Sequence, residues 1–518
     1  MNLVSSVVLI WMVVVITWLV LVVGEFSVMA LQMVSFDVNL SFDFSGPWYY
    51  VMFGLVVLLL ASWVLYYASS YMGSSVSFVR FNVLVVVFVA SMLMVVVSKS
   101  FWVLWLGWEG LGVSSFLLIM YYNNWKCNGS AVTTIMMNRV GDFALVVMVV
   151  TLSCSFIFDY MCVVYGSLGL AMFLGAMIAK SAQVPMNSWL PIAMAAPTPV
   201  SSLVHSSTLV VAGCVLCIKL GDCMSVVWVN GLLIIVGLLT SLYASLMAFF
   251  ELDLKKILAY STMSQIAMVM LMLLSGLYSL MMMHIMNHAL VKALLFMNVG
   301  IMMGYMFANQ EVRMVSCVGC NIGFVLGSVI LCLMVMCGLT FTSCYYSKEY
   351  SICLSIKEDT ILHLVNVILF MSVMYSLRMV YVLMGGLSGK VFSNCFSVSF
   401  VSVQVLVIPM LVMGWFLIMN FSMPCNPCFD VFKAFLLVTP FVMLLFVLKV
   451  WVLPGVLNVD LYYEYLNSGI IGLKFYMLNF MKSLHVSGMM SLVGLVGFNI
   501  SVFKLLVSIV AMLLVLFG

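Results

Sequence analysis

Apolar residues run for about 20 positions, the length a helix needs to cross a bilayer, near 3–23, 50–69, 79–98, 102–122, 131–154, 168–184, 199–219, 225–249, 258–277, 279–304, 318–343, 360–384, 398–419, 433–453 and 499–517. The pattern predicts about fifteen transmembrane helices. A membrane β-barrel would alternate apolar and polar residues in strands of roughly ten, whereas Val51–Ala61 and Leu232–Leu239 are apolar on both parities. The expected fold class is therefore an all-α polytopic membrane protein, since a helix satisfies its backbone polar groups within one segment of lipid. Connections are short, and no soluble domain intervenes. Polar interruptions at Phe36–Trp48, Asn123–Gly129, Asn309–Arg313, Ser347–Asp359 and Pro424–Asp430 place their charges outside hydrocarbon. Met1–Val23 has neither a basic flank nor a cleavage site and is expected to be a retained first helix. From Pro454 to about Gly497 the pattern weakens, with Asp460, Glu464, Lys474, Lys482 and His485 punctuating moderately apolar sequence. That stretch reads either as a long amphipathic helix lying along the membrane surface or as one more irregular span.

Composition sharpens this picture. Of 518 residues, 66% are hydrophobic and 7% charged, against roughly 25% charged in soluble domains, so lipid or partner subunits must cover this chain. The net charge of +3 comes from 19 basic and 16 acidic residues with no block of like sign, so nothing points to nucleic acid. Fifteen cysteines include the pairs Cys214/Cys217, Cys317/Cys320 and Cys425/Cys428. Two such pairs could hold zinc or an iron–sulfur cluster, but the bland reading is better: thiols pack as small hydrophobes. The 48 Met and 12 Trp, with scarce Pro, His and Gln, fit a coding strand rich in T and G and a genetic code with extra codons for both residues.

Chemistry must lie in ionisable residues inside the spans, where a charge costs several kcal/mol. Glu109 lies about 10 Å into the run 102–122. Lys180 lies in the run 168–184 close to its carboxyl end and either snorkels outward or points into the bundle. Four prolines then fall between Pro185 and Pro199, so the segment cannot be an ordinary helix, because proline removes a backbone donor and breaks the ladder. His205 follows among hydroxyls, either reached by water or held as a structural histidine. His284, His288 and Lys292 are spaced i, i+4, i+8, along nearly one helix face over about 12 Å. Imidazole both accepts and donates a proton near pH 6.5, and burial disfavours an ammonium so that lysine too can exchange protons near neutrality. A zinc site at the two histidines is the competing reading, with no third ligand nearby to complete it. Lys348 marks either a second helix break or an interfacial loop. This series, without a phosphate loop, dinucleotide fingerprint or nucleophile triad, points to ion movement, with the proton as the expected ion.

Several stretches carry a resemblance: Trp108-Glu-Gly-Leu-Gly-Val-Ser-Ser-Phe-Leu-Leu118, Asn138-Arg-Val-Gly-Asp142, Lys180-Ser-Ala-Gln183, Trp189-Leu-Pro191, the run from Ala196-Pro-Thr-Pro199 through His205-Ser-Ser-Thr208 to Gly213, Asp253-Leu-Lys-Lys-Ile257 and Tyr346-Ser-Lys348. Over roughly residues 40–385 the chain resembles the antiporter-like subunits of mitochondrial NADH–ubiquinone oxidoreductase, respiratory complex I, and subunit 5 more than its paralogues, subunits 4 and 2. The resemblance implies two inverted five-helix repeats, each with a broken helix, and a lateral amphipathic helix. It divides the chain into N-terminal helices (1–78), an antiporter-like proton-translocating core (79–385), C-terminal helices (386–453), the lateral helix (454–498) and a terminal anchor (499–518). Glu109 and Lys180 would form the charged pair of one half-channel, with Asp142 an acidic residue near them and His205 beside the broken helix. His284, His288 and Lys292 would be the central relay, and Lys348 the exit-side lysine in a second broken helix. FMN, iron–sulfur clusters, NADH and ubiquinone would belong to other subunits, with no cofactor or metal in this chain. Implied partners are the neighbouring subunit 4, accessory subunits, phospholipids such as cardiolipin and respiratory supercomplex components, in the mitochondrial inner membrane, with the chain itself mitochondrially encoded. Two departures stand out. Met194-Ala-Ala-Pro197 lacks the glutamate common before the family's proline motif, and the chain is without the family's first span and shorter in its last third. Alternatives on the same residues are a stand-alone cation/proton antiporter and a purely structural membrane-arm subunit.

Overall fold

A computed structural model describes residues 48–384, apart from 73–76, 99–100, 156–161, 221–226, 273–277, 306–308, 313–322, 339–341, 346 and 349–358. The predicted first span, the C-terminal helices, the lateral helix, the terminal anchor and the Cys317/Cys320 and Cys425/Cys428 pairs lie outside the described residues.

The described chain is helical: α1 Trp48–Met72, α2 Phe78–Val97, α3 Phe101–Ile119, α4 Trp125–Ser155, α5 Cys162–Lys180, α6 Trp189–Ala193, α7 Thr198–Lys219, α8 Val227–Phe250, α9 Leu254–Met272, α10 Tyr278–Tyr305, α11 Gly323–Cys337 and α12 Asp359–Met384. Among the described residues, seven helices are long and apolar enough to cross a membrane, among them α1, α2, α7 and α10. This is an all-helical membrane protein. The predicted polar interruption at Asn123–Gly129 shrinks to two residues, because Asn123 adopts the left-handed conformation (φ 50°) after a 3-10 turn at Met120–Tyr122 and α4 begins at Trp125. Asparagine tolerates that conformation better than other side chains, so a tight turn suffices.

α10 sits at the centre, packed against α1, α7, α9 and α11. It is apolar nearly all round, the pattern of a helix with no lipid- or water-facing side, and its side chains from Leu280 to Met303 are buried. The pairs α2/α3, α4/α5 and α8/α9 pack along their lengths, with α9 buried against α10, and α12 lies against α8 and α11. α4 and α5 cross closely because position 141 is glycine: a Cβ there would come 2.8 Å from Ala179 Cβ. Small residues at crossings let membrane helices approach where no hydrophobic drive separates lipid from protein.

Two helices break inside the bundle. α5 stops at Lys180, where Ser181 N–H donates to the Met177 carbonyl (2.9 Å), Gln183 N–H donates to that of Ile178 (3.0 Å), and Ala182 takes φ 53°. A left-handed residue followed by such a reach-back bond is a normal helix stop. The prolines then allow only the short α6 before α7 begins. α11 stops at Gly338 (φ 87°), and helical turns resume at 343–345 and 347–348. Within α7, Ser201–Thr208 is wound as a π-helix. Its wider turn leaves the Thr208 hydroxyl donating five residues back to the Leu203 carbonyl (2.8 Å). Such π segments inside α-helices are frequent at functional sites.

Candidate functional site

The first cluster spans α3, α4 and α5. Lys180, at the end of α5, is fully buried. Instead of snorkelling, its Nζ lies 3.7 Å from Asp142 Oδ1, donates to the Trp108 carbonyl (3.3 Å) and sits 4.9 Å from the centre of the Trp108 ring. The Trp108 indole N–H in turn donates to Asp142 Oδ1 at 2.8 Å. Asp142 Oδ2 lies 3.5 Å from Arg139 Nη1, which also pairs with Glu109. Where the sequence reading pairs Glu109 with Lys180 directly, the structure sets Arg139 of α4 against Glu109 and Asp142 of α4 against Lys180, while Lys180 also reaches α3 at Trp108. The line runs Glu109, Arg139, Asp142, Lys180 and has a wetter half and a dry one: side-chain exposure is 20% at Glu109 and 46% at Arg139 but 6% at Asp142 and 0% at Lys180. Arg139 was missed as a site residue. Its signal was an arginine near the midpoint of a span, one turn before Asp142 within the Asn138–Asp142 motif.

Removing the Asp142 charge is expected to destabilise the protein by about 3–5 kcal/mol, as for a buried pair that loses one partner. Asp142→Asn should therefore lower the heat resistance of the assembled protein on native gels, and adding Lys180→Met should recover most of the loss. An Asp142→Asn variant as stable as wild type would show that Lys180 is not held charged by this carboxylate.

Past the break, the Gln183 side-chain oxygen Oε1 accepts from the Thr240 hydroxyl (2.5 Å), which fastens the loop to α8. Lys255, buried at the start of α9, donates to the Ala196 carbonyl (3.0 Å) and holds the Pro197 turn that launches α7. Lys255 belongs to the Asp253–Ile257 motif, yet nothing in its spacing announced that contact. His205 lies in the π-helix, buried, with its ring 6.2 Å from that of Trp189 and no hydrogen bond to either ring nitrogen among the described residues. The Cys214 and Cys217 thiols are buried on α7.

The second cluster lies on α10. Lys292 Nζ donates to the Ser261 hydroxyl of α9 at 2.6 Å, and His284 Nδ1 is 2.8 Å from the Ser347 hydroxyl. His288, between them, is buried with neither ring nitrogen bonded among the described residues. Lys348, next to Ser347, is buried in the second break, where its Nζ donates to the Met336 carbonyl at the end of α11. Ser261 and Ser347 were not singled out from sequence, because serines are common in spans and only packing shows which ones face a lysine or a histidine.

Charged and imidazole groups buried through an apolar helical bundle, some at helix breaks and three on the unbroken α10, place the chain among polytopic membrane proteins of the transporter-like class. Comparison with known proteins narrows the class. Residues 98–375 match the family described as NADH:quinone oxidoreductase/Mrp antiporter, transmembrane. The chain is 36% identical over 428 residues to NADH-ubiquinone oxidoreductase chain 5 of Anopheles gambiae, covering 78% of this chain and 72% of that one. It is 35% identical over 425 residues to the chain 5 protein of Ascaris suum, covering 80% and 75%. The chain belongs to the NADH-ubiquinone oxidoreductase chain 5 family. Its fold is shared with a chain of the Mrp complex from Dietzia sp. DQ12-45-1b (TM-score 0.70, 21% identity, covering 93% of this chain and 60% of that one) and with one of an archaeal membrane-bound sulfane sulfur reductase (TM-score 0.69, 15% identity, covering 86% and 93%).

Proposed function

We propose that this chain is a membrane-arm subunit of respiratory complex I in the mitochondrial inner membrane, where it couples NADH-to-ubiquinone electron transfer to proton translocation. Redox groups reside in other subunits, and the chain docks beside a second antiporter-like subunit in the same arm. Its plan is about fifteen spans with two inverted repeats around the broken helices and a lateral helix at 454–498 anchored by 499–518. The observation that carries this reading is the set of buried ionisable groups Asp142, Lys180, Lys292, His288, His284 and Lys348, with Lys180 and Lys348 at helix breaks and Lys292, His288 and His284 on the central helix.

Arg139 gives the first cluster a way to switch. Its guanidinium does not lose a proton, so it is a fixed cation within reach of two carboxylates. While Glu109 is ionised it shares Arg139, and Asp142 is left to balance Lys180. When Glu109 takes up a proton, Arg139 turns wholly to Asp142 and competes with Lys180 for that carboxylate. Ion pairing favours the charged forms of both partners, and its loss in a low dielectric favours the neutral ones. Lys180 then releases its proton toward His205 and the α10 relay, with Lys348 on the exit side.

The test is a Glu109→Gln variant in membrane vesicles, with NADH oxidation, pumped protons and the assembled complex measured together. Assembly and electron transfer are expected to persist while pumped protons per NADH fall. Unchanged pumping would remove Glu109 from the mechanism. Migration of the wild-type chain away from the NADH-active band on native gels would favour a stand-alone cation/proton antiporter.

A further inference from the structure

α12 carries Tyr375-Ser376-Leu-Arg378 in its apolar part, and the two hydroxyls face different parts of the site. Tyr375, buried at 3% exposure, has its hydroxyl 3.5 Å from the Ser264 hydroxyl and 3.4 Å from the Gln265 amide nitrogen, both on α9. Ser264 stands one turn from Ser261, the hydroxyl that receives the Lys292 ammonium bond. Ser376, buried at 1% exposure, has its hydroxyl 2.7 Å from the Cys337 thiol. Cys337 is the last residue of α11, adjacent to the Met336 carbonyl that binds Lys348. Adjacent residues of α12 thus touch the surroundings of Lys292 on one side and of Lys348 on the other.

We propose that Tyr375 and Ser376 form a hydroxyl branch that carries protons between Lys292 and Lys348, parallel to the imidazole branch through His288, His284 and Ser347. The proposal rests on the proton-translocating reading above and extends it to residues that reading does not use. Each hydroxyl is both donor and acceptor. Ser261, Ser264 and Ser376 now donate to carbonyls three residues back on their own helices, at 2.8, 3.0 and 2.7 Å. A rotation about the Cβ–O bond releases that carbonyl and points the same proton at the next acceptor. Each hydroxyl, and the Cys337 thiol between Ser376 and Lys348, takes one proton and passes one on, so the branch returns to its starting charge while one proton moves from the Lys292 ammonium to the Lys348 amine. Tyr375 meets Ser264 and Gln265 directly at 3.4–3.5 Å, and the step from its hydroxyl to Ser376 is closed by water. Gln265 Oε1, a buried acceptor with no hydrogen bond among the described residues, supplies a second anchor for that water beside the phenol.

Tyr375→Phe removes the hydroxyl and keeps the ring. In the assembled complex, with pumping normalised to NADH oxidation, it is expected to lower pumped protons per NADH about twofold, and on the order of a hundredfold in a His284→Ala background where both routes are cut. Ser376→Ala should reproduce the loss and Ser376→Thr, which keeps a hydroxyl, should reverse it, a recovery that a packing role would not show. Wild-type pumping by Tyr375→Phe in both backgrounds overturns the proposal, as does abolition of pumping by His284→Ala alone, since the imidazole route would then be the only one. Lys292→Met serves as the control: if it pumps normally, the proton-translocating reading itself fails, and if it is inactive while Tyr375→Phe is normal, only the hydroxyl branch falls.

Discussion

Lys292→Met should assemble, transfer electrons and pump protons on the order of a hundredfold more slowly, the scale on which a positioned proton-transfer group contributes. Lys292 is buried on the central helix at 1% exposure, and its Nζ bonds to Ser261 of α9 at 2.6 Å. Among the described residues no acidic group lies within ion-pairing distance of it. Methionine fills the same slot without a charge, so the fold loses one hydrogen bond and the packing stays. An ammonium with no counter-ion in an apolar core is expensive, and such groups within membrane spans commonly serve function. The measurement is proton uptake or release by vesicles against NADH consumed, and normal pumping would exclude Lys292 from the route.

Gly300→Ala should be the most disruptive small substitution on the same helix. A Cβ at position 300 would fall 2.3 Å from the Tyr67 hydroxyl and 3.0 Å from Thr198 Oγ1. Neither can retreat easily: Tyr67 is completely buried, its hydroxyl is 3.2 Å from Thr198 Oγ1, and Thr198 starts the helix whose π segment carries His205. Overpacking of this kind costs about 1–3 kcal/mol. The expected result is a lower temperature of complex dissociation on native gels. Tyr67→Phe in the same chain should recover part of it by withdrawing the atom that clashes, and a double variant no better than Gly300→Ala would place the strain elsewhere.

Much of the site was legible before any coordinates. The i, i+4, i+8 spacing of His284, His288 and Lys292 requires one helix face, and a proline-dense stretch after Lys180 requires a broken backbone, because both follow from helix geometry and the missing proline donor. The π winding at Ser201–Thr208 was less accessible: serine, valine and histidine are compatible with ordinary helix, and the extra residue per turn emerges from packing against α10.

Hydropathy is a local property, so the chain alone was enough to specify helices, a membrane environment and which ionisable groups stand within apolar runs. Partnership is not local. Glu109 and Asp142 are 33 positions apart and meet through Arg139, Lys180 finds Trp108 across 72 positions, and Lys292 finds Ser261 across 31. Which carboxylate faces which cation depends on how α3, α4 and α5 pack together, and that packing includes close crossings such as Gly141 against Ala179, where shape rather than polarity decides.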